Sequence, residues 1–285
     1  MAVVFQKQET MRMTRRGSMS VKLIAMDIDD TLLTDELVIP KACRETIAAA
    51  QGRKVRVVLA TGRMLAATIH FARELGLTEP LICYNGALIQ SPNGGPPLAH
   101  HPIPLELARE IVELGQKEDL HVNVYLDDCM YIDEYNEYTQ LYLSTADVEA
   151  HPVGDLMEFM DRPPTKILYV CEPEIAAKWH LELKERYRGR LEVFVSKAEY
   201  VEFTAAGVSK GAALKELAEM YGLEPGEVMA IGDSYNDIPM LEYAGIGVAV
   251  ANAARTVQAT ADYVTLSNEE YGVAEAIKRF VLGEE

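Results

Sequence analysis

The stretch KLIAMDIDDTLLT, residues 22–34, runs an apolar segment into three aspartates, Asp27, Asp29 and Asp30, within four positions. Residues 21–27 show no polar alternation, as expected of a strand covered on both faces. The aspartates then fall at and just past its C-terminal end. Carboxylates gathered there repel one another and are costly to desolvate. A bound cation would offset that cost.

Working outward, Pro40 opens a helix to about Gln51. VRVVLA (55–60) is a second buried strand, and residues 64–75 place Leu65, Thr68, Ile69, Ala72 and Leu75 on one helical face before Gly76 stops the helix. LICY (81–84) is a third strand. This alternation predicts parallel strands with right-handed crossovers. After Asn85-Gly86 the pattern changes. SPNGGPP (91–97) is turn chemistry, a helix follows at about 104–118, and HVNVYL-DDC-MYIDEY reads as a hairpin. KILYVCE (166–172), a helix at 173–187, and a second hairpin from RLEVFVS and EYVEFT complete this part. From Ser209 the first rhythm returns, with helices at 209–221, 236–244 and 269–281 and strands EVMAIG, IGVAV and YVTL. The expected fold is α/β, a Rossmann-like doubly wound parallel sheet with an inserted α+β domain. Its parts are a disordered extension 1–20, a core in two pieces, 21–86 and 205–285, and the insertion 87–204.

The bulk properties narrow the partners. The 285-residue chain is 49% apolar, enough for a full core, and carries a net charge of −17, which argues against nucleic acid or an anionic membrane. No apolar run reaches membrane-spanning length, and residues 1–20 lack the hydrophobic stretch of a signal peptide. Cys43, Cys83, Cys129 and Cys171 are too widely spaced for a zinc or redox motif, so free thiols in a reducing cytoplasm are expected. A monomer is compatible with the sequence, which leaves the oligomeric state open.

Ligands in open α/β sheets bind at the carboxyl ends of the strands. EVMAI ends in GDSYND, which brings Asp233, Asn236 and Asp237 to the edge that carries Asp27 and Asp29. VRVVLA ends in Thr61-Gly62-Arg63 at the same edge. Such residues can simply cap helices. Three strand ends delivering this combination make a site the better reading. Hard oxygen donors at an acidic edge suit Mg²⁺, which is usually held by a few carboxylates plus a substrate phosphate. An ionised aspartate beside it can attack phosphorus.

These segments resemble the haloacid dehalogenase (HAD) superfamily of phosphohydrolases over residues 21–285, with DIDDT (27–31), ATGR (60–63), Lys210 in GVSKG and GDSYND (232–237) in motif order. YNGA (84–87), VEFTAAGVSKG and VAVANA (248–253) are similar to the Cof-type branch, although Asp30 and Ala251 stand where its patterns more often have Gly. The resemblance implies Asp27 as nucleophile, forming an aspartyl-phosphate, and Asp29 as general acid and base. It implies Mg²⁺ on the Asp27 carboxylate, the Asp29 backbone carbonyl and Asp233, with Asp237 as a direct or supporting ligand. Thr61, Gly62, Lys210 and Asn236 would grip the phosphoryl group. The implied substrate is a small phosphorylated metabolite: a sugar phosphate foremost, then pyridoxal phosphate or flavin mononucleotide. A phosphotransferase or phosphomutase using the same intermediate, and a non-catalytic phospho-ligand sensor, are the alternatives. The six histidines lie outside these motifs, and the tyrosines and acidic residues of 125–142 are read as sheet packing and a solvated face.

Overall fold

The computed structural model describes residues 20–144 and 148–284. The extension expected over 1–20 lies outside these, apart from Ser20. Fourteen strands are present among the described residues: β1 (Leu23–Met26), β2 (Arg56–Leu59), β3 (Leu81–Cys83), β4 (Leu88–Gln90), β5 (Ala99–His100), β6 (His121–Leu126), β7 (Cys129–Ile132), β8 (Ala150–Pro152), β9 (Lys166–Val170), β10 (Leu191–Val195), β11 (Tyr200–Ala205), β12 (Val228–Gly232), β13 (Ile246–Ala249) and β14 (Tyr263–Val264).

A parallel sheet runs β14-β13-β12-β1-β2. Every side chain of β1 is buried, which is why its sequence lacks alternation. β3 continues the sheet through a parallel bridge between Ala60 and Ile82. β4 and β5 follow the expected crossing at residue 87, yet β4 pairs antiparallel with β3 and β5 antiparallel with β4. Ile103 is the first residue beyond them to enter the second apolar cluster.

That second cluster belongs to a six-stranded sheet, β10-β11-β9-β6-β7-β8, antiparallel except for β7 beside β8. The period of two sorts its residues. Val122, Val124, Ile167, Tyr169, Val201 and Phe203 join a cluster with residues of the helices Leu105–Lys117 and Pro173–Arg186. The alternate residues Tyr125, Leu168, Val170 and Tyr200 join the cluster of the parallel-sheet core. The inner face of the inserted sheet therefore lies toward the core, and Lys166, Glu202 and Thr204 share it.

Some expected elements changed length. The helix predicted over 64–75 spans only Ile69–Glu74. The residues before it meet Asp128, in the two-residue β6–β7 turn where Asp127 and Asp128 are both left-handed (φ 51° and 59°). One Asp128 oxygen accepts from Leu65 N and Tyr84 OH, each at 2.8 Å, and the other accepts from Ala66 N at 2.7 Å. Burial raises the Asp128 pKa. This carboxylate fastens the insertion to the core. Asp128→Ala is expected to lower the unfolding free energy by about 1–3 kcal/mol, because the Tyr84 hydroxyl is left without an acceptor. Urea denaturation checks it, and an unchanged midpoint would remove the fastening role.

β4, β5, β8 and the short helices Glu137–Leu143 and Leu156–Phe159 were not anticipated. No helix among the described residues is long and apolar enough to cross a membrane. The four cysteines are free thiols.

Candidate active site

The carboxyl ends of β1, β2 and β12 meet as expected, and they bring most of the predicted residues together. Asp27 follows β1 and is 5% exposed. Lys210, the first residue of the helix Lys210–Met220, is 1% exposed and donates from Nζ to Asp27 Oδ1 and Asp237 Oδ1, each at 2.6 Å. Ser209 caps that helix through its side chain. Gly86 (φ 104°) abuts the Ser209 carbonyl so closely that a Cβ would collide. It follows Tyr84 and Asn85 (φ 53° and 57°), three left-handed residues in a row where the chain passes toward the insertion.

Asp237 is fully buried, and both its oxygens are engaged. Oδ1 takes Lys210, while Oδ2 accepts from Asp233 N and Ser234 N at 3.0 and 2.9 Å. A Cβ on Gly232 would lie 2.6 Å from the Asp237 side chain, so this turn closes only over glycine. Asp233 is held by Thr31 Oγ1, which donates to its Oδ1 at 2.7 Å. Oxygens of Asp27, Asp233 and Asp237 lie within 4.8 Å of one another. This all-oxygen anionic set fits a divalent cation. The Asp29 carboxylate is not in that group. Arg63 grips it in a fork, Nε to Oδ2 at 2.9 Å and Nη2 to Oδ1 at 2.6 Å.

The electrostatics agree with a cation site. Burial raises the Asp27 pKa, opposed by Lys210 and reinforced by Asp237 and Asp233. Burial and then Asp237 push Asp233 up to about 7. Lys210 is raised: its two carboxylate partners outweigh desolvation. A carboxyl whose folded pKa exceeds its unfolded value of about 4 stabilises fully below that value, and the contribution is lost as pH rises through the folded pKa. Asp233 should therefore weaken the metal-free protein progressively as pH rises from about 4 to 7. A divalent cation should flatten that decline by favouring the ionised form. Melting temperatures across this range, with chelator and with cation, check it; identical slopes would count against a cation site.

The remaining predicted residues occupy the rim. Thr61 is fully buried, and its Oγ1 accepts from Arg63 N at 3.1 Å. The Gly62 carbonyl faces Lys166 Nζ at 3.5 Å. Asn236 Nδ2 donates to Asn85 Oδ1 at 2.8 Å. Asp30 has φ 55°, which accounts for glycine being commoner at that place in the patterns it resembles. Thr31 and Arg63 stood inside the quoted motifs without an assigned role. Lys166 and Glu202 are bonded partners from separate strands, and neither stood out in the sequence as a site residue. The acidic cluster is the one group of potential metal ligands found among the described residues; His100 bonds Thr165 and His101 bonds Glu216.

A family model for haloacid dehalogenase-like hydrolases matches residues 24–277. A 5-amino-6-(5-phospho-D-ribitylamino)uracil phosphatase of Bacillus subtilis, YcsE, is 34% identical, covering 94% of this chain and 99% of its own. The crystal structure of TM0651 from Thermotoga maritima is 33% identical with a TM-score of 0.81, over 91% of this chain and 97% of that one. BT4131, a HAD subclass IIB sugar phosphatase, is 26% identical with a TM-score of 0.80, over 91% and 99%.

Proposed function

The chain belongs to the haloacid dehalogenase-like hydrolases, and from that premise we propose that it is a Mg²⁺-dependent phosphatase. In this reading it cleaves small phosphomonoesters, sugar phosphates foremost, through an aspartyl-phosphate on Asp27. One observation carries the reading: Asp27 directly follows β1, a strand with parallel neighbours on both sides, and its Oδ1 is held by Lys210, while its Oδ2 takes no hydrogen bond among the described residues. That leaves the second oxygen of a fixed carboxylate free to act as the nucleophile. The named activities of YcsE and BT4131, both on small phosphorylated compounds, support the substrate class.

Asp27 and Asp233 would hold the ion, together with the Asp29 backbone carbonyl. Asp237, its oxygens already spent, would fix Lys210 and the turn behind it. When bound, Mg²⁺ supplies polarisation of a phosphoryl oxygen and offsets the carboxylates' charge. Thr61, Gly62, Lys210 and the second N–H of Asn236 would hold the phosphoryl oxygens. Asp27 Oδ2 attacks phosphorus, the ester P–O bond breaks, and Asp29, having taken a proton from solvent, gives it to the leaving oxygen. Water then attacks phosphorus, Asp29 takes the water's proton, and the bond to Asp27 breaks. Because Arg63 occupies both Asp29 oxygens, Asp29 must release at least one of those bonds to reach the leaving oxygen.

The test is phosphate release from a panel of phosphorylated metabolites, with Mg²⁺ and with chelator. Release that needs the metal is expected. Isomerised or transphosphorylated products without free phosphate would shift the reading to a phosphotransferase.

A further inference from the structure

On the inner face of the inserted sheet, Lys166 and Glu202 form an ion pair at 3.3 Å with side chains only 4% and 6% exposed. The pair sits directly above the phosphoryl rim. Lys166 Nζ reaches the Gly62 carbonyl at 3.5 Å, and Asn85 Nδ2 reaches Glu202 Oε2 at 3.4 Å. These contacts are long beside the 2.6 Å bonds of Lys210, and the ammonium's nearest aromatic neighbour is the Tyr125 ring at 4.6 Å, so its three N–H donors have no short oxygen partner in a buried place. Among the buried polar atoms that find no hydrogen-bond partner in the described residues are Thr204 Oγ1, on the same sheet face, and Asn236 Oδ1.

The orientation of Asn236 follows from chemistry. Glu202 accepts from Lys166, Ser196 and Asn85, three donors, which a carboxylate suits. Asn85 must therefore present Nδ2 to Glu202 and Oδ1 to Asn236, and Asn236 must present Nδ2 in return. The unpartnered Asn236 Oδ1 is thus an acceptor, one residue from Asp237. A phosphoryl oxygen offers it no donor. A hydroxyl does, and a hydroxyl can also accept from Lys166.

We infer that Lys166, Glu202 and the Asn236 carbonyl oxygen read hydroxyl groups on the leaving group and reject leaving groups carrying a second anion. The inference rests on the phosphatase reading above. A hydroxyl entering this seam replaces the long Lys166–Gly62 contact with a charge-assisted bond and donates to Glu202 or Asn236. The pair is neutral overall, so it offers no net attraction to a second phosphate or carboxylate, and the two acceptors repel one. Asn85 acts as a positioning residue, since it transmits the Glu202 orientation to Asn236.

The experiment compares kcat/KM for sorbitol 6-phosphate, phenyl phosphate and fructose 1,6-bisphosphate. Lys166→Met alone would strand a buried carboxylate and could unfold the protein, so Lys166→Met/Glu202→Gln, which removes both charges, is made beside Glu202→Gln. Folding is followed by circular dichroism, and Lys178→Met, exposed on the outer helix, is the control. In the double variant the ratio of sorbitol 6-phosphate to phenyl phosphate should fall about 10–100-fold, the range for losing hydrogen bonds to charged groups. In Glu202→Gln the bisphosphate should gain relative to the monophosphate. Parental ratios in both folded variants would overturn the inference while leaving the phosphatase reading standing. A parent that cleaves none of the three esters would overturn both.

Discussion

Replacing Asp27 by asparagine is expected to reduce phosphate release by at least about 10⁴-fold, on the scale seen when a covalent nucleophile is removed, and to leave no acid-labile phosphate on the protein. The amide has nearly the same shape, so the loss tests chemistry and not packing. Stability should move the other way or not at all. Asp27 is buried among Asp29, Asp233 and Asp237, and burial together with those neighbours opposes its ionisation. Neutralising it removes that repulsion, and Lys210 keeps its 2.6 Å bond to Asp237. The variant should therefore melt no lower than the parent in chelator while being inactive. Asp29→Asn should lose less, about 10²–10⁴-fold, because it removes proton transfer but keeps the nucleophile. Phosphate trapped on the Asp27→Asn protein would reverse the assignment of these two aspartates.

How much of this was legible in the sequence depended on distance along the chain. Asp27, Thr61 and Asp233 were found because each ends an apolar strand, and strand ends of a parallel sheet converge by topology alone. Their states were not legible. That both Asp237 oxygens are consumed depends on Lys210, 27 positions away, and on a turn that closes against Gly232. The Lys166–Glu202 pair joins two strands of the insertion and meets the core at Asn85, Gly62 and the Tyr84 ring, so no local spacing marks it. The helix read over 64–75 begins only at Ile69; residues 65–68 form a bend and a turn, where Leu65 and Ala66 give their N–H groups to Asp128 of a hairpin 62 or more positions away. β4 and β5 escaped notice because strands of three and two residues leave too short a pattern to read.

Lys210→Met should damage stability and turnover together, and its pH dependence separates the causes. Lys210 is 1% exposed and touches Asp27 and Asp237, so its loss leaves two buried carboxylates beside Asp233 without a counter-charge. Removing one partner of a buried ion pair typically costs about 3–5 kcal/mol. Here the carboxylates can protonate instead, because burial has already raised Asp27 and pushed Asp233 up to about 7. Taking away the cation removes the influence that lowers both and raises them further. Groups with raised folded pKa values stabilise at low pH and lose that contribution as pH rises through those values. Lys210→Met should accordingly match the parent most nearly near pH 5 and fall furthest behind near pH 8. Excess Mg²⁺ should recover part of the deficit at pH 8, since a cation bound only by the folded state stabilises it by mass action. Turnover should stay at least about 10²-fold down even with saturating metal, because the ammonium that would meet the phosphoryl oxygens is gone. Urea denaturation at pH 5 and pH 8, each with and without Mg²⁺, measures the stability effects. Parental stability of Lys210→Met at pH 8 in chelator would mean that the aspartates are not ionised around Lys210, and the electrostatic account of the site would fall.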